Sequence, residues 1–474
     1  MNNQGNSKRR DYLTMGLIGI IGFTILLMVT TFSYMDTKTL TAWSVNFWDL
    51  LFEGRLGEYY SYAGINARGA AEWDGMGNFL MLLPWSIWNL PVWVTHYFGG
   101  NMDITGFFSI CWSKLFLVAM SGLCAYFSYK IVLHRTENRE RGLLAALLIM
   151  AAPELLLSIG YTGQDEIVYI TFFIIALYQY MKGSKWYLFW CVYAVTCCPI
   201  MLLPVLILFI MDNKNILAVL GKSVCTILPT VAINLLYLHD EGKAQASRDI
   251  WVMLQEMFGF VSFQTTTGIA SVAAVLITLL LLAVYFAEHK SEADTETDKN
   301  SYLLYYIAVS MVIVCFFTEN FFYRTFLYVP FIVLVVLCHN GEQDAKKRSG
   351  SLLMLAILSW CRMLTGGFDN PQNMNTFYTN RNAVIAWISG LTGSEKYLNY
   401  DGLSEKMVEK LPILTNIMPV LNAAALGLIL YLLYVNYPGN QKECKTEISE
   451  KMSLAVYCLC MPGLLFIFYV LLFM

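Results

Sequence analysis

Apolar residues in this chain run in long, nearly unbroken stretches separated by short charged loops. A helix resting on a water-soluble core would instead show them spaced three or four apart. Crossing about 30 Å of hydrocarbon at about 1.5 Å per residue takes roughly 20 apolar residues. Suitable stretches are Tyr12–Tyr34, Phe107–Val132, Gly142–Ile159, Ile167–Met181, Ile216–Leu238, Ile269–Phe286, Tyr302–Phe317, Phe326–Leu337, Ser351–Leu364, Leu414–Val435 and Met452–Phe473. Pro199 and Pro204 interrupt a further stretch, Trp186–Met211, which reads as one kinked span or two short ones. Prolines at that depth are tolerated only where protein or a cavity surrounds them. The pattern predicts an all-α fold, a polytopic transmembrane helical bundle.

Asn78–Phe98 decides the topology. It is long enough to cross, but it carries Pro84, Pro91, Trp85, Trp88, Trp93 and Tyr97. Proline breaks helices, and Trp and Tyr favour the headgroup level. If the segment lies in the interface and Trp186–Met211 makes two short spans, the basic loop His134–Gly142 falls inside. So do Lys182 and Lys185, Lys290 and Lys299, Lys346-Lys347-Arg348 and the Lys442–Lys451 loop. The excess of Lys and Arg on cytoplasmic loops favours that arrangement. It gives about 13 spans, with a cytoplasmic N-terminus behind Lys8-Arg9-Arg10 and a retained first helix. Met35–Gly106, His239–Gly268 and Gly366–Pro412 then face outside. Within Met35–Gly106, the aromatic-rich Leu40–Phe52 predicts a surface helix stopped near Gly54.

Composition agrees. The chain has 474 residues, 57% hydrophobic and 14% charged, against about 25% charged in soluble domains. A soluble enzyme and a disordered chain are excluded, and a net charge of −3 offers nothing to a nucleic acid. The 12 cysteines lie almost entirely inside apolar runs, and the long outer loops contain none. They read as small apolar residues, neither a disulfide framework nor a zinc site. The five histidines are scattered, and no phosphate-binding or nucleophile-elbow motif occurs.

Candidate chemistry sits on the outer side. Asp36 stands where the first helix leaves the bilayer, a place where partial desolvation favours general-base duty and where a plain charged cap is the alternative. Gln164, Asp165 and Glu166 share one short loop, GYTGQDEI, and could bind a sugar hydroxyl or a cation or simply be solvated. Arg324, set among Phe321, Phe322, Tyr323 and Phe326, could grip a lipid phosphate or anchor at the interface. Lys114 and Arg362 lie in the outer parts of their helices, where buried charge is costly. Trp43, Trp48 and Trp73 could stack on sugar rings.

These features together resemble the GT-C glycosyltransferases that use polyprenyl-phosphate-linked sugars, particularly bacterial mannosyltransferase-like members. The likeness lies in SKLFLVAMSGLCAYFSYKIV, the following basic loop, the proline ahead of the GQ-acid loop, and the proline-containing pair of short helices. Asp36 falls where that family keeps its catalytic carboxylate. EGRLGEYY resembles the loop after its first surface helix, and YRTFLYVP its donor-phosphate segment. The similarity covers about Asp36 to Leu337, roughly two-thirds of the chain. Departures are the acid directly after Gln164 and Cys198, where the family often has Lys before the proline.

The resemblance implies a GT-C-like catalytic module over residues 1–340, including the loop 35–106, and C-terminal helices with an outer loop 366–412 over residues 341–474. It implies a bacterial plasma-membrane enzyme that transfers sugar at its outer face with inversion, Asp36 acting as base. Gln164, Asp165, Glu166, Trp43 and Asp74 would serve sugar or acceptor, and Arg324, Lys114 and Arg362 the lipid phosphate. The expected partners are a polyprenyl-phosphate sugar, a glycan, lipid or protein acceptor, and membrane lipids; no nucleic acid is expected. No cofactor is required, though a divalent metal is compatible. A lipid-linked glycan polymerase or ligase would rely on an outer loop richer in arginine than Gly366–Pro412. A flippase or transporter would show two similar halves, and none is visible.

Overall fold

The computed structural model describes residues 2–68, 79–99, 103–213, 215–266, 268–290, 296–318, 326–338, 350–351, 353–359, 361, 377–379 and 412–438. Helix dominates. The N-terminal part comprises α1 (Asn2–Thr31), the short strand β1 (Phe32–Tyr34), α2 (Met35–Glu53), α3 (Tyr59–Ile65), α4 (Phe79–Trp88) and α5 (Leu90–Phe98). The bundle continues with α6 (Phe107–Thr136), α7 (Arg139–Ala151), α8 (Pro153–Leu156), a π turn (Leu157–Thr162), α9 (Glu166–Met181), α10 (Tyr187–Cys197), α11 (Leu202–Asp212) and α12 (Ile216–Leu236). After these come α13 (Glu241–Gly259), the hairpin β2 (Ser262–Thr265) and β3 (Gly268–Ser271), α14 (Val272–Lys290), α15 (Glu296–Phe317), α16 (Val329–Cys338), β4 (Phe377–Thr379) and α17 (Ile413–Val435).

Among the described residues, three helical stretches are long and apolar enough to cross a membrane: α6, α12 and residues Lys299–Phe317 of α15. A fourth is added if α7 and the segment after Pro153, bent by 47°, form one span. Proline at the first turn of α8 explains the bend, because its ring excludes the backbone continuation that a straight helix needs. The other apolar stretches among the described residues run 10–17 residues, among them Met15–Thr30 of α1, Val272–Ala287 of α14 and Pro419–Val435 of α17. One apolar core runs through the bundle. It takes in Leu355, Ala356, Leu358, Ala425, Ile429 and Leu432 alongside residues of α6 to α16.

Hydrogen bonds between loops sort the helix ends into two groups. At one end, Thr37 reaches Thr162 and Asp240 accepts from the backbone of Tyr60 and Ser61. There β1 also pairs antiparallel with β4, Tyr34 opposite Phe377. At the other end, His134 Nε2 lies 3.2 Å from Met181 O, Arg135 donates to Ser301 Oγ at 2.7 Å, and Tyr302 and Tyr305 meet the ring of Tyr437.

Two choices that the sequence left open or only favoured acquire a geometry. Tyr187 at the start of α10 donates to Asp212 at the end of α11, 2.7 Å away. The break at Pro199 is therefore a hairpin of two short helices, because a single kinked rod would hold those residues far apart. Segment 78–98 is likewise broken, at Asn89, whose side-chain amide donates to Ser44 and Ser113. The amide of Phe79 donates to the Tyr60 hydroxyl, and Trp88 and Trp112 exchange indole-to-carbonyl hydrogen bonds. Tyr60 and Trp112 belong to the same end of the bundle, so the segment turns back to the end it started from. α2 ends where expected, at Gly54 in the left-handed region (φ 69°), but it starts earlier, at Met35.

Candidate functional site

The site is assembled where α2 meets the turn between α7 and α9. Tyr34 is extended, and α2 starts at once, placing Asp36 in its first turn. A helix N-terminus carries partial positive charge and favours a carboxylate there. The π turn ends at Gly163, whose φ of 66° lies in the left-handed region. Both the Gly163 and Gln164 amides then donate to Ser158 O. Thr37 Oγ1 donates to Thr162 O at 2.6 Å, and a Cβ at Gly163 would collide with that same hydroxyl. Glycine is therefore required twice, for its backbone angle and for the close approach. The result places the side-chain amide of Gln164 on Asp36, donating to Oδ2.

The turn is held from two further sides. Lys114, fully buried on α6, donates its ammonium to Gly160 O. Gly160 lies against Met28 of α1 so closely that a Cβ would sit 2.5 Å from the methionine Cβ. π turns are uncommon and concentrate at functional positions; here one is gripped by α1, α2 and α6.

Of the expected site residues, Asp36 and Gln164 meet directly. Asp165 immediately precedes α9, within electrostatic reach of Cys197 at the end of α10. Glu166, the first residue of α9, is buried at the same turn. Two further candidates lie inside the bundle. Trp43 is only 4% exposed and packs in the core. Lys114 is sunk inside the bundle with its ammonium on a backbone carbonyl. Asp74, Trp73, Arg324 and Arg362 lie outside the described residues.

Sequence reasoning missed several groups nearby. Lys38, on the same first turn of α2, is half-buried; burial lowers its pKa and the charge of Asp103 opposes that shift. Asp103 also accepts from the Thr105 amide (3.0 Å), and its backbone carbonyl accepts from Ser109 (2.6 Å), fixing the start of α6. Asp49 on α2 accepts from Arg68 and, at 2.8 Å, from Trp93 Nε1. Arg68 itself adopts φ 50°, a backbone strain of about 1–3 kcal/mol that the ion pair and its bond to Asn46 sustain. Tyr328 donates to the buried carboxylate of Glu154 at 3.1 Å, joining the Pro153 bend to the entry of α16. Long-range pairing of single polar residues leaves no periodic signal, though Asp103 just ahead of Gly106 and a helical run has the look of a helix start. Among the described residues, no three His, Cys, Asp or Glu side chains gather as a metal site would require.

Comparison with protein-family models, with curated proteins and with solved structures yields no match to this chain.

Proposed function

We propose that this protein is a membrane glycosyltransferase of GT-C type, taking a sugar from a polyprenyl-phosphate donor and passing it to an acceptor hydroxyl. The observation that carries the reading is the contact between Gln164 and Asp36 at the mouth of the bundle. A neutral amide fixes the carboxylate at a helix N-terminus without adding an opposing charge that would weaken it as a base.

In the proposed step Asp36 takes the proton from the acceptor hydroxyl while that oxygen bonds to the anomeric carbon. The bond from that carbon to the phosphate oxygen breaks, and polyprenyl phosphate leaves with the electron pair. One displacement inverts the anomeric centre. Arg324 and Arg362 stabilise the charge that grows on the leaving phosphate. Asp165 and Glu166 orient the sugar or acceptor. Lys114 contributes indirectly, by holding the turn that carries Gln164.

The reading includes about 13 crossings of the membrane. The loops beginning at His134 and Lys182 meet at the end of the bundle opposite Asp36. Since Lys and Arg favour the cytoplasmic side, Asp36 faces outside. The test is to offer membranes containing the protein a panel of labelled polyprenyl-phosphate sugars and follow the label. Transfer to a water-soluble or lipid acceptor supports the reading. Label that crosses the bilayer while still attached to its lipid identifies a flippase and removes it.

A further inference from the structure

Helix α13 shows one face to the protein and two unlike flanks beside it. Gly242, Lys243, Ala246 and Met257 are buried against α3 and α14. On one flank Trp251, Leu254 and Phe258 follow at the spacing of a helical stripe; Trp251 is 63% exposed and the other two are half-covered. On the other flank lie Gln245, Arg248, Asp249 and Glu256, with the 49% exposed Val252 among them; the first three are joined by hydrogen bonds of 2.8 and 2.7 Å.

What borders the apolar flank is also apolar. α12, which leads into α13, is the least covered of the three long apolar helices, 22% buried against 50% for α6. Its exposed residues Leu220, Val224, Leu228, Leu235 and Leu236 form a stripe that continues to Leu238. Beyond α13, Phe260 just after the helix and Phe263 on β2 are exposed, and Leu279, Leu282 and Phe286 form a second exposed stripe on α14. Helix α13 thus follows and precedes helices whose exposed apolar stripes suit lipid hydrocarbon. At its start, Asp240 and Gly242 fix α13 against α3.

We propose that α13 lies in the plane of the membrane–water interface. Trp251, Leu254 and Phe258 rest among the upper acyl chains, and Arg248 and Glu256 face water. The partner this surface fits is the bilayer itself. In-plane amphipathic helices of this kind bury their apolar side about 5–10 Å into the headgroup–acyl boundary, and tryptophan prefers that depth.

The test uses the full chain in lipid nanodiscs and the fluorescence difference between wild type and Trp251→Phe, which isolates the Trp251 signal. With lipids brominated near the acyl carbonyl, that signal is expected to lose about half its intensity or more, and less with bromine near the chain ends. Aqueous iodide is expected to leave it nearly unchanged. Quenching by iodide without quenching by brominated lipid overturns the proposal. Quenching by neither also overturns it, since protein then covers the residue. Arg248→Trp gives an independent reading that does not require Trp251→Phe to assemble. Its added signal should respond to iodide, and a response to shallow brominated lipid instead contradicts the tilt assigned to α13.

Discussion

Gln164 donates its side-chain amide to the carboxylate of Asp36 from 128 residues further along the chain. Two apolar helices, a proline bend and a π turn lie between the end of α6 and that contact, and all of them serve to place one amide. Glutamine suits the position because it steadies a carboxylate without contributing a charge. A lysine there would compete with the acceptor for Asp36 as a base.

Replacing Gln164 by leucine keeps the volume and removes the donor. A positioned base contributes about 10²–10⁴-fold to a rate, and mispositioning loses part of it. Turnover should fall by about tenfold or more, with thermal unfolding in detergent changed only slightly. Unchanged turnover at saturating donor would show that the contact does not serve the reaction.

Gly163 and Gly183 both lie in the left-handed region, at φ 66° and 68°. A Cβ at Gly183 meets nothing, whereas at Gly163 it meets the Thr37 hydroxyl. Gly183→Ala should therefore cost only the backbone term, about 1–2 kcal/mol. Gly163→Ala should lower the unfolding temperature further and also reduce activity. Comparing the two variants by differential scanning fluorimetry checks this, and equal shifts would contradict the close packing of the turn.

Asp240 accepts from the amides of Tyr60, Ser61 and Gly242 at 3.0 Å each and from the Ser61 hydroxyl, serving the starts of both α3 and α13. Asp240→Ala should destabilise by about 2 kcal/mol, the scale of a lost cap with charge-assisted bonds. Gly242→Ala should do comparable damage, because its Cβ would lie 2.5 Å from Ser61 N and 2.6 Å from Tyr60 C. Thermal unfolding of the two variants and of the double variant tests the joint. Their effects should fall short of additive, since each breaks the same contact.

Alkaline stability carries a sign. Burial raises Tyr237, beside this joint, from 10.0 to about 12, and the negative charge of Asp240 adds to the shift. Burial likewise raises Tyr60, whose ring packs edge-on against Tyr237. A raised phenol keeps its proton in the folded state after the unfolded chain has lost it. The stabilisation is therefore complete below pH 10 and lost as pH rises from 10 to about 12. Unfolding temperatures across that range should fall less steeply for Tyr237→Phe than for wild type. Parallel slopes would remove Tyr237 as the cause.

The apolar runs were legible because a crossing helix must satisfy its own backbone and leave lipid-compatible side chains outside. The same reasoning made Pro199 a break and Asn78–Phe98 a segment with interfacial character. Asp36 and Gln164 were legible as types of residue in telling places, at a helix exit and in a short polar loop. Their mutual contact was not, because pairing at that separation depends on how α6, α7 and α9 pack. Lys38, Arg68, Asp103 and Asp240 escaped notice because a single charge in a polar loop looks solvated until its partner is known. The burial of Trp43 was not legible for the opposite reason. Aromatic residues on a surface helix supply both its buried and exposed sides, and composition does not say which side a given indole takes.

The most direct test of the central claim is transfer from a labelled polyprenyl-phosphate sugar by Asp36→Asn. The variant keeps the size of the side chain and an oxygen for Gln164, and loses the base. Transfer should vanish while donor still binds and the unfolding temperature stays near that of wild type. Transfer at the wild-type rate would take Asp36 out of the chemistry, and the proposed mechanism with it.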